Sequence, residues 1–262
     1  MRRILLSAIL LIATSIPGGV SAQSAITSEI APLGKLRLAT NAGNSIFIKR
    51  TPDGQAVGGV ALEVGRFIAE KLGVPFELVP RLDANAFVQN LGKGDWDIGV
   101  GPPTPLAQEK ADFGPALVLV EHVYIAAPGQ AFADAAQVDR PGVKVAVALN
   151  SAQDQFLSRT LKSAEIVRRA SAQDAVATLR DGQANVWASN VAQADAIVAV
   201  LPAAKIVPGA FNRERPVVML PKGRSAAAQA RLAEIANEAK RTGIVQKAID
   251  QAGMRGVQVA PN

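Results

Sequence analysis

Apolar residues along the chain alternate between short runs typical of strands and longer stretches with the three-to-four-residue spacing of helices. In the first half the pattern predicts strands at 35–40, 76–79 and 96–100 and helices at 60–71 and 84–91. Gly73 and Pro75 end the first of these helices. Strands that alternate with helices indicate an α/β fold with largely parallel sheets.

A second series of the same kind follows a long apolar segment, 117–126. It predicts strands at 143–148, 184–188, 205–207 and 217–220 and helices that begin at Ser151, Ser171, Asn190, Ser225 and Ile244, with a linker-like stretch at 128–141. We therefore predict two lobes, one formed by 23–120 and 217–262 and the other by 121–216. Ligands of such sheets bind where the carboxyl ends of strands meet helix N-termini, so the cleft between the lobes is the expected site.

The N-terminus has the pattern of a secretory signal peptide. Arg2 and Arg3 precede an apolar stretch, 4–16, and small residues at Val20-Ser21-Ala22 offer a cleavage site. We predict that residues 1–22 are removed and that the mature protein is periplasmic. The alternative is an uncleaved membrane anchor.

Composition restricts the chemistry of the mature chain. It has no cysteine and one histidine, which excludes thiolate nucleophiles, iron–sulfur clusters and cysteine-ligated zinc. The net charge of +6 falls to +4 without Arg2 and Arg3, and the remaining basic residues are scattered without interleaved aromatic residues. We therefore expect no nucleic-acid partner, no cofactor and no metal. Motifs for nucleotide binding or hydrolysis are absent from the sequence.

An ordered series of short motifs resembles the family 3 extracellular solute-binding proteins, the substrate receptors of amino-acid-type ABC importers. The motifs are GKLRLAT (34–40), the segments 53–58 and 68–74, GDWDI (94–98), ADF (111–113), LRDGQAN (179–185) and RTGI (241–244). The resemblance implies a type II periplasmic binding protein: two lobes, each a mixed and mostly parallel sheet flanked by helices, joined by two hinge strands. It also implies a small-molecule solute and an inner-membrane ABC permease as partners of a monomer.

Two positions depart from what the resemblance implies for an amino-acid receptor. Where the family places an arginine that grips the ligand's α-carboxylate, this chain has Ala107, and Asn190 stands where an aspartate usually holds the α-ammonium. A buried charge that loses its partner costs about 3–5 kcal/mol, enough to turn a roughly micromolar site into a millimolar one. We therefore expect a neutral or mono-anionic ligand rather than a standard amino acid.

The candidate ligand-binding residues lie in loops after strands and at helix starts. They are Asn41, Asn44, Phe47, Gly101, Thr104, Asn150, Ser151 and Asn190. Each has an alternative structural interpretation: the asparagines of the first loop as turn residues, Phe47 as core, and Ser151 and Asn190 as helix N-caps. We expect Trp96 and Trp187 to be core residues and His122 to have a hinge or structural role.

Three functions are compatible with these residues. The first is a periplasmic receptor without enzymatic activity, which closes on a solute and presents it to a permease. The second is a sensor or a dehydrogenase-accessory binding module on the same fold. The third is an enzyme resembling cyclohexadienyl dehydratase, which would need an anion-gripping arginine and a placed acid.

Overall fold

The computed structural model describes residues 18–261, with side chains from residue 23 onward. The helices are α1 (Gly18–Ile30), α2 (Val60–Leu72), α3 (Ala84–Asn90), α4 (Pro105–Gln108), α5 (Ala152–Thr160), α6 (Ala172–Arg180), α7 (Val191–Val200), α8 (Ala226–Arg241) and α9 (Ile244–Ala252), and Ala135–Val138 forms one turn of 3₁₀ helix. The strands are β1 (Leu36–Asn41), β2 (Lys49–Arg50), β3 (Ala56–Gly58), β4 (Phe76–Arg81), β5 (Ile98–Gly101), β6 (Ala111–Ala116), β7 (Val118–Ala126), β8 (Lys144–Ala148), β9 (Glu165–Arg169), β10 (Val186–Asn190), β11 (Lys205–Ile206), β12 (Asn212–Glu214), β13 (Val217–Pro221) and β14 (Val257–Val259).

The predicted signal segment, 1–22, lies outside the described residues except for 18–22, which form the start of α1. Within the described part of the chain, none of the helices has both the length and the apolar character needed to cross a bilayer.

The first sheet has the strand order β4-β1-β5-β13-β6. Strands β4, β1 and β5 are parallel, and β13 is antiparallel to both of its neighbours. Helix α2 packs on this sheet through a buried apolar face formed by Val60, Val64, Ile68 and Leu72. The helix ends at Gly73, whose φ of 69° is the left-handed conformation that glycine adopts at little cost.

The second sheet has the strand order β11-β7-β10-β8-β9, and β12 and β14 also pair with β7. Strands β10, β8 and β9 are parallel, whereas β7 is antiparallel to β10. Two apolar clusters, one on each face of this sheet, form the core, because successive residues such as Val186 and Trp187 point to opposite faces.

The two sheets are joined where the chain passes from β6 to β7 and from β12 to β13. Strand β7 lies at the connection between the sheets. Its first residues pair with β14, and its middle residues pair with β12. His122 lies in this strand, completely buried, and its Nε2 is 3.0 Å from Glu214 Oε2 on β12. The prediction of a mixed α/β architecture in two lobes is confirmed, and the exact division at residues 120 and 216 remains a prediction.

Candidate functional site

A cavity lies between the lobes at the carboxyl ends of β1, β4, β8 and β10. Its volume is about 50 Å³, and hydrogen bonds between the lobes lie beside it, from Asn150 Nδ2 to Asn85 Oδ1 and from Leu106 N to Gln155 Oε1. The first lobe lines it with Asn41, Gly43, Asn44, Leu82, Asp83 and Ala84, and the second with Ala148, Ser151, Gln153, Ala172, Gln173, Trp187, Ala188, Ser189, Asn190 and Gln193. We call this space the polar cavity.

Four of the predicted site residues meet in the polar cavity. Asn41 ends β1 and Asn44 lies in the loop that follows. The side-chain oxygen of each accepts a backbone N–H two residues on, at 3.0 Å. These turns leave both side-chain NH₂ groups without a partner among the described residues. Ser151 caps α5 by accepting from Asp154 N at 3.1 Å, which leaves its hydroxyl hydrogen able to donate. The turn and the ligand interpretations of these residues are therefore compatible.

Asn190, the fourth of these residues, is the N-cap of α7. Its Oδ1 accepts from Gln193 N at 3.0 Å and its Nδ2 donates to Gln193 Oε1 at 2.6 Å. Asn190 lines the cavity and keeps its second N–H without a described partner, and the NH₂ of Gln193 has no described partner either, so both can donate to a ligand. The two bonds also fix the position of Gln193.

The other four predicted site residues lie outside the polar cavity. Phe47 is 3% exposed in the core of the first lobe, and Gly101 lies against the ring of Phe87. Thr104 caps α4 by accepting from Ala107 N at 3.3 Å. Asn150 bridges the lobes, since its Nδ2 donates to Asn85 Oδ1 at 2.8 Å.

The two lobes also contact each other beside the polar cavity, where α4, which contains Ala107, meets Gln155 of α5. Ala107 is completely buried, so its position offers no group to a ligand. Leu106 N, at the start of α4, donates across the cleft to Gln155 Oε1 at 3.3 Å, while Gln155 Nε2 donates to Asn150 O at 3.0 Å. The side-chain amide of Gln155 thus supplies the acceptor for a backbone donor in the first lobe.

Sequence reasoning missed several lining residues, among them Gly43, Gln153, Gln173, Trp187 and Gln193. A Cβ on Gly43 would lie 2.5 Å from Leu82 O, so glycine permits the loops after β1 and β4 to approach. Each of the three glutamines lies in the first turn of a helix, α5, α6 or α7, whose N-cap the sequence predicts. The first turn of a helix that follows a strand is the signal that could have revealed them. Trp187 is 3% exposed, as expected of a core residue, yet its ring also forms cavity wall.

Charged groups are few in the polar cavity. Of the described residues that line it, Asp83 has the only charged side chain, and its Oδ1 accepts from Ala86 N at 2.7 Å as the cap of α3. The carboxylates flanking Trp96 are also occupied, because Asp97 binds Arg37 and Asp95 binds Arg81. The side-chain hydrogen bond with Asp97 raises the pKa of Arg37. Among the described residues, no cluster of histidine and carboxylate side chains suits a metal ion.

Amides and hydroxyls therefore determine what the polar cavity can bind. Donors without a partner among the described residues come from Asn41, Asn44, Ser151, Asn190 and Gln193. The side-chain amides of Gln153 and Gln173 supply both donors and acceptors. Such a lining complements a neutral molecule with carbonyl, ether or hydroxyl oxygens. It supplies no cation to offset a carboxylate.

Comparison of the whole chain with known proteins finds similarity in structure. No protein-family model and no curated protein matches the sequence. Many solved structures, however, match the fold of the chain. A mutant of ArgBP from T. maritima superposes with a TM-score of 0.73 at 21% identity, over 87% of this chain and 99% of that one. For the amino acid ABC transporter substrate-binding protein AbpA from Streptococcus pneumoniae, bound to L-arginine, the values are 0.72 and 20%, over 85% and 96%.

A third similar structure is the ancestral amino acid-binding protein AncCDT-1, described as a precursor of cyclohexadienyl dehydratase. It has a TM-score of 0.71 and 24% identity, over 86% of this chain and 98% of that one. These neighbours agree with the resemblance drawn from the sequence motifs. The chain has the two-lobed type II periplasmic binding protein fold of amino-acid ABC transporter substrate-binding proteins.

Proposed function

We propose that this protein is a periplasmic solute receptor of an ABC importer, which closes its two lobes on a small neutral polar molecule. The observation that carries the proposal is the polar cavity itself: it lies between the lobes and is lined from both sides by amide and hydroxyl groups. A ligand that contacts both lobes stabilises the closed conformation, because it binds that conformation more tightly than the open one. The fold neighbours that bind or transport amino acids support the same role.

The proposed ligand class differs from that of AbpA, which is bound to L-arginine. Ala107 and Asn190 carry no charge to offset an α-carboxylate and an α-ammonium. Among the described lining residues Asp83 alone is a carboxylate, and its Oδ1 accepts from Ala86 N as the cap of α3 while Oδ2 keeps its lone pairs. A dehydratase role finds no support in the polar cavity, since the described lining contains no cation to hold a carboxylic acid substrate.

Calorimetric titration with the twenty standard L-amino acids tests this ligand class. We expect dissociation constants no tighter than about millimolar, because each unpaired charge costs about 3–5 kcal/mol on entering the closed site. Native mass spectrometry of the exported protein, purified from its host's periplasm, should instead show a bound neutral compound. Sub-micromolar binding of any standard amino acid would contradict the proposal.

Substitution of Ser151 separates ligand binding from helix capping. Ser151→Ala should weaken binding of the co-purified compound by at least about 1 kcal/mol, since one hydrogen bond is lost. Ser225 caps α8 away from the cavity, accepting from Ala228 N at 3.1 Å, and its hydroxyl donates to Glu29 Oε2 at 2.7 Å. Ser225→Ala therefore removes a helix cap without touching the cavity and serves as the control. Equal affinities of the two variants for the compound would show that Ser151 caps α5 and does not contact the ligand.

A further inference from the structure

The polar cavity continues into a second and larger space, which we call the apolar pocket. Its volume is about 320 Å³. The two spaces share the lining residues Gly43, Ala172, Gln173, Trp187 and Gln193. The apolar pocket extends from there between α6 and α7, where Val176, Ala177, Ala196 and Ile197 line it.

The chemistry of the lining changes from one space to the other. Amides and hydroxyls surround the polar cavity, whereas small aliphatic side chains and the ring of Trp187 form most of the apolar pocket. Of the described residues that line the apolar pocket, only Arg180 is charged, and its Nε donates to Asp181 Oδ1 at 2.9 Å. The only described charge at the apolar pocket is therefore a surface arginine paired with a neighbouring carboxylate, at the rim and not between the aliphatic side chains.

The walls of the apolar pocket come from both lobes. Gly43 and Ser45 belong to the first lobe, and α6, α7 and Trp187 to the second. An apolar group in this space would be covered when the lobes close, and burial of its surface would add to the free energy of closure. Left without an apolar occupant, the partly exposed side chains of Val176 and Ile197 would face solvent in the binding-competent state.

We infer that the ligand is amphiphilic: a neutral polar head with oxygen acceptors occupies the polar cavity, and an aliphatic tail extends over Trp187 between α6 and α7. This inference rests on the proposed receptor function and specifies the ligand class of the same site. Trp187, which lines both spaces, contacts the junction of head and tail.

A series of linear primary amides, from acetamide to octanamide, provides the test. Their carbonyl and NH₂ groups match the amide-rich polar cavity, and only the tail length varies. Binding to the full mature chain, measured by calorimetry, should tighten roughly threefold to fourfold per methylene, the gain expected for burial of one CH₂. The gain should end once the tail fills the apolar pocket.

Filling the pocket should remove the dependence on tail length. Ala177 and Ala196 line the apolar pocket and not the polar cavity, so the double variant Ala177→Leu/Ala196→Leu blocks the tail and spares the head. Ala199 is exposed on α7 and lines neither space, so Ala199→Leu is the matched control. If the double variant fails to fold, Ala196→Leu alone changes an exposed position and serves instead.

Each outcome bears on the inference. A rise in affinity with tail length in the wild type and in Ala199→Leu, flattened in the filled variant, supports it. A flat series in the wild type, an undiminished rise in the filled variant, or no binding of any amide overturns it. The receptor role is tested separately by native mass spectrometry, where a bound neutral solute without an aliphatic portion would preserve that role and reject the amphiphilic ligand.

Discussion

Replacement of Arg37 by alanine is expected to lower the free energy of unfolding by about 3–5 kcal/mol, the cost of leaving a buried charge without its partner. Asp97 is completely buried, and Arg37 holds it with Nε at 3.0 Å from Oδ2 and Nη2 at 2.8 Å from Oδ1. In the variant the carboxylate keeps only the backbone N–H of residue 37 as a described donor. Urea unfolding monitored by circular dichroism measures the loss.

Two controls identify the cause of that loss. In Arg37→Ala/Asp97→Asn the buried group is neutral, so part of the stability should return relative to Arg37→Ala alone. Arg213 pairs with Glu121 at the surface and its side chain is 73% exposed, so Arg213→Ala should cost about 0–1 kcal/mol. A double variant no more stable than Arg37→Ala would assign the effect to lost packing instead of an unpaired charge.

Replacement of Gln155 by alanine is expected to shift the protein toward an open conformation by about 1–3 kcal/mol, the penalty of an unsatisfied polar group in the closed state. Leu106 N donates to Gln155 Oε1 across the cleft, and in the open state water can replace that acceptor. The populations of the two states should therefore change roughly fivefold to a hundredfold. Other side-chain bonds across the lobes, such as Asn150 to Asn85 and Arg255 to Asp195, limit the shift.

Energy transfer between dyes on the two lobes measures this equilibrium. The chain has no cysteine, so Val57→Cys and Val200→Cys, at exposed positions on the first and second lobes, allow specific labelling. Gln153 lies on the same helix and lines the polar cavity, but its side chain has no hydrogen bond among the described contacts, so Gln153→Ala is the control. Identical transfer distributions in the wild type and Gln155→Ala would show that this contact does not stabilise closure.

The regular elements of both lobes could be predicted where local signals are strong. Helix α2 follows from its apolar spacing and from Gly73, and the start of α5 at Ser151 follows from capping chemistry. Strands β6 and β9 were missed because ADFGPA and EIVRR lack the alternation of a half-buried strand. Their pairing with β13 and β8 overrides the weak local preference.

The candidate site was predicted only in part. The polar cavity is lined by Asn41, Asn44, Ser151 and Asn190 because each lies at or just after the carboxyl end of a strand that faces the cleft. Phe47 does not line it, because the turn after β1 directs it into the core of the first lobe. The amide of Asn190 is bonded to that of Gln193, and a sequence pattern carries no information on such a pairing of neighbouring amides.

The sequence by itself determined the alternation of strands and helices in two lobes, because periodicity and capping are local properties. That Ala107 and Asn190 replace a charged pair is what the resemblance implies. Only the tertiary structure decided which side chains line the cleft, that Gln155 contacts Leu106 across it, and that an apolar pocket adjoins the polar one. These features arise where segments far apart in the chain meet, at a spacing set by the packing of two sheets and the crossing of β7 between them.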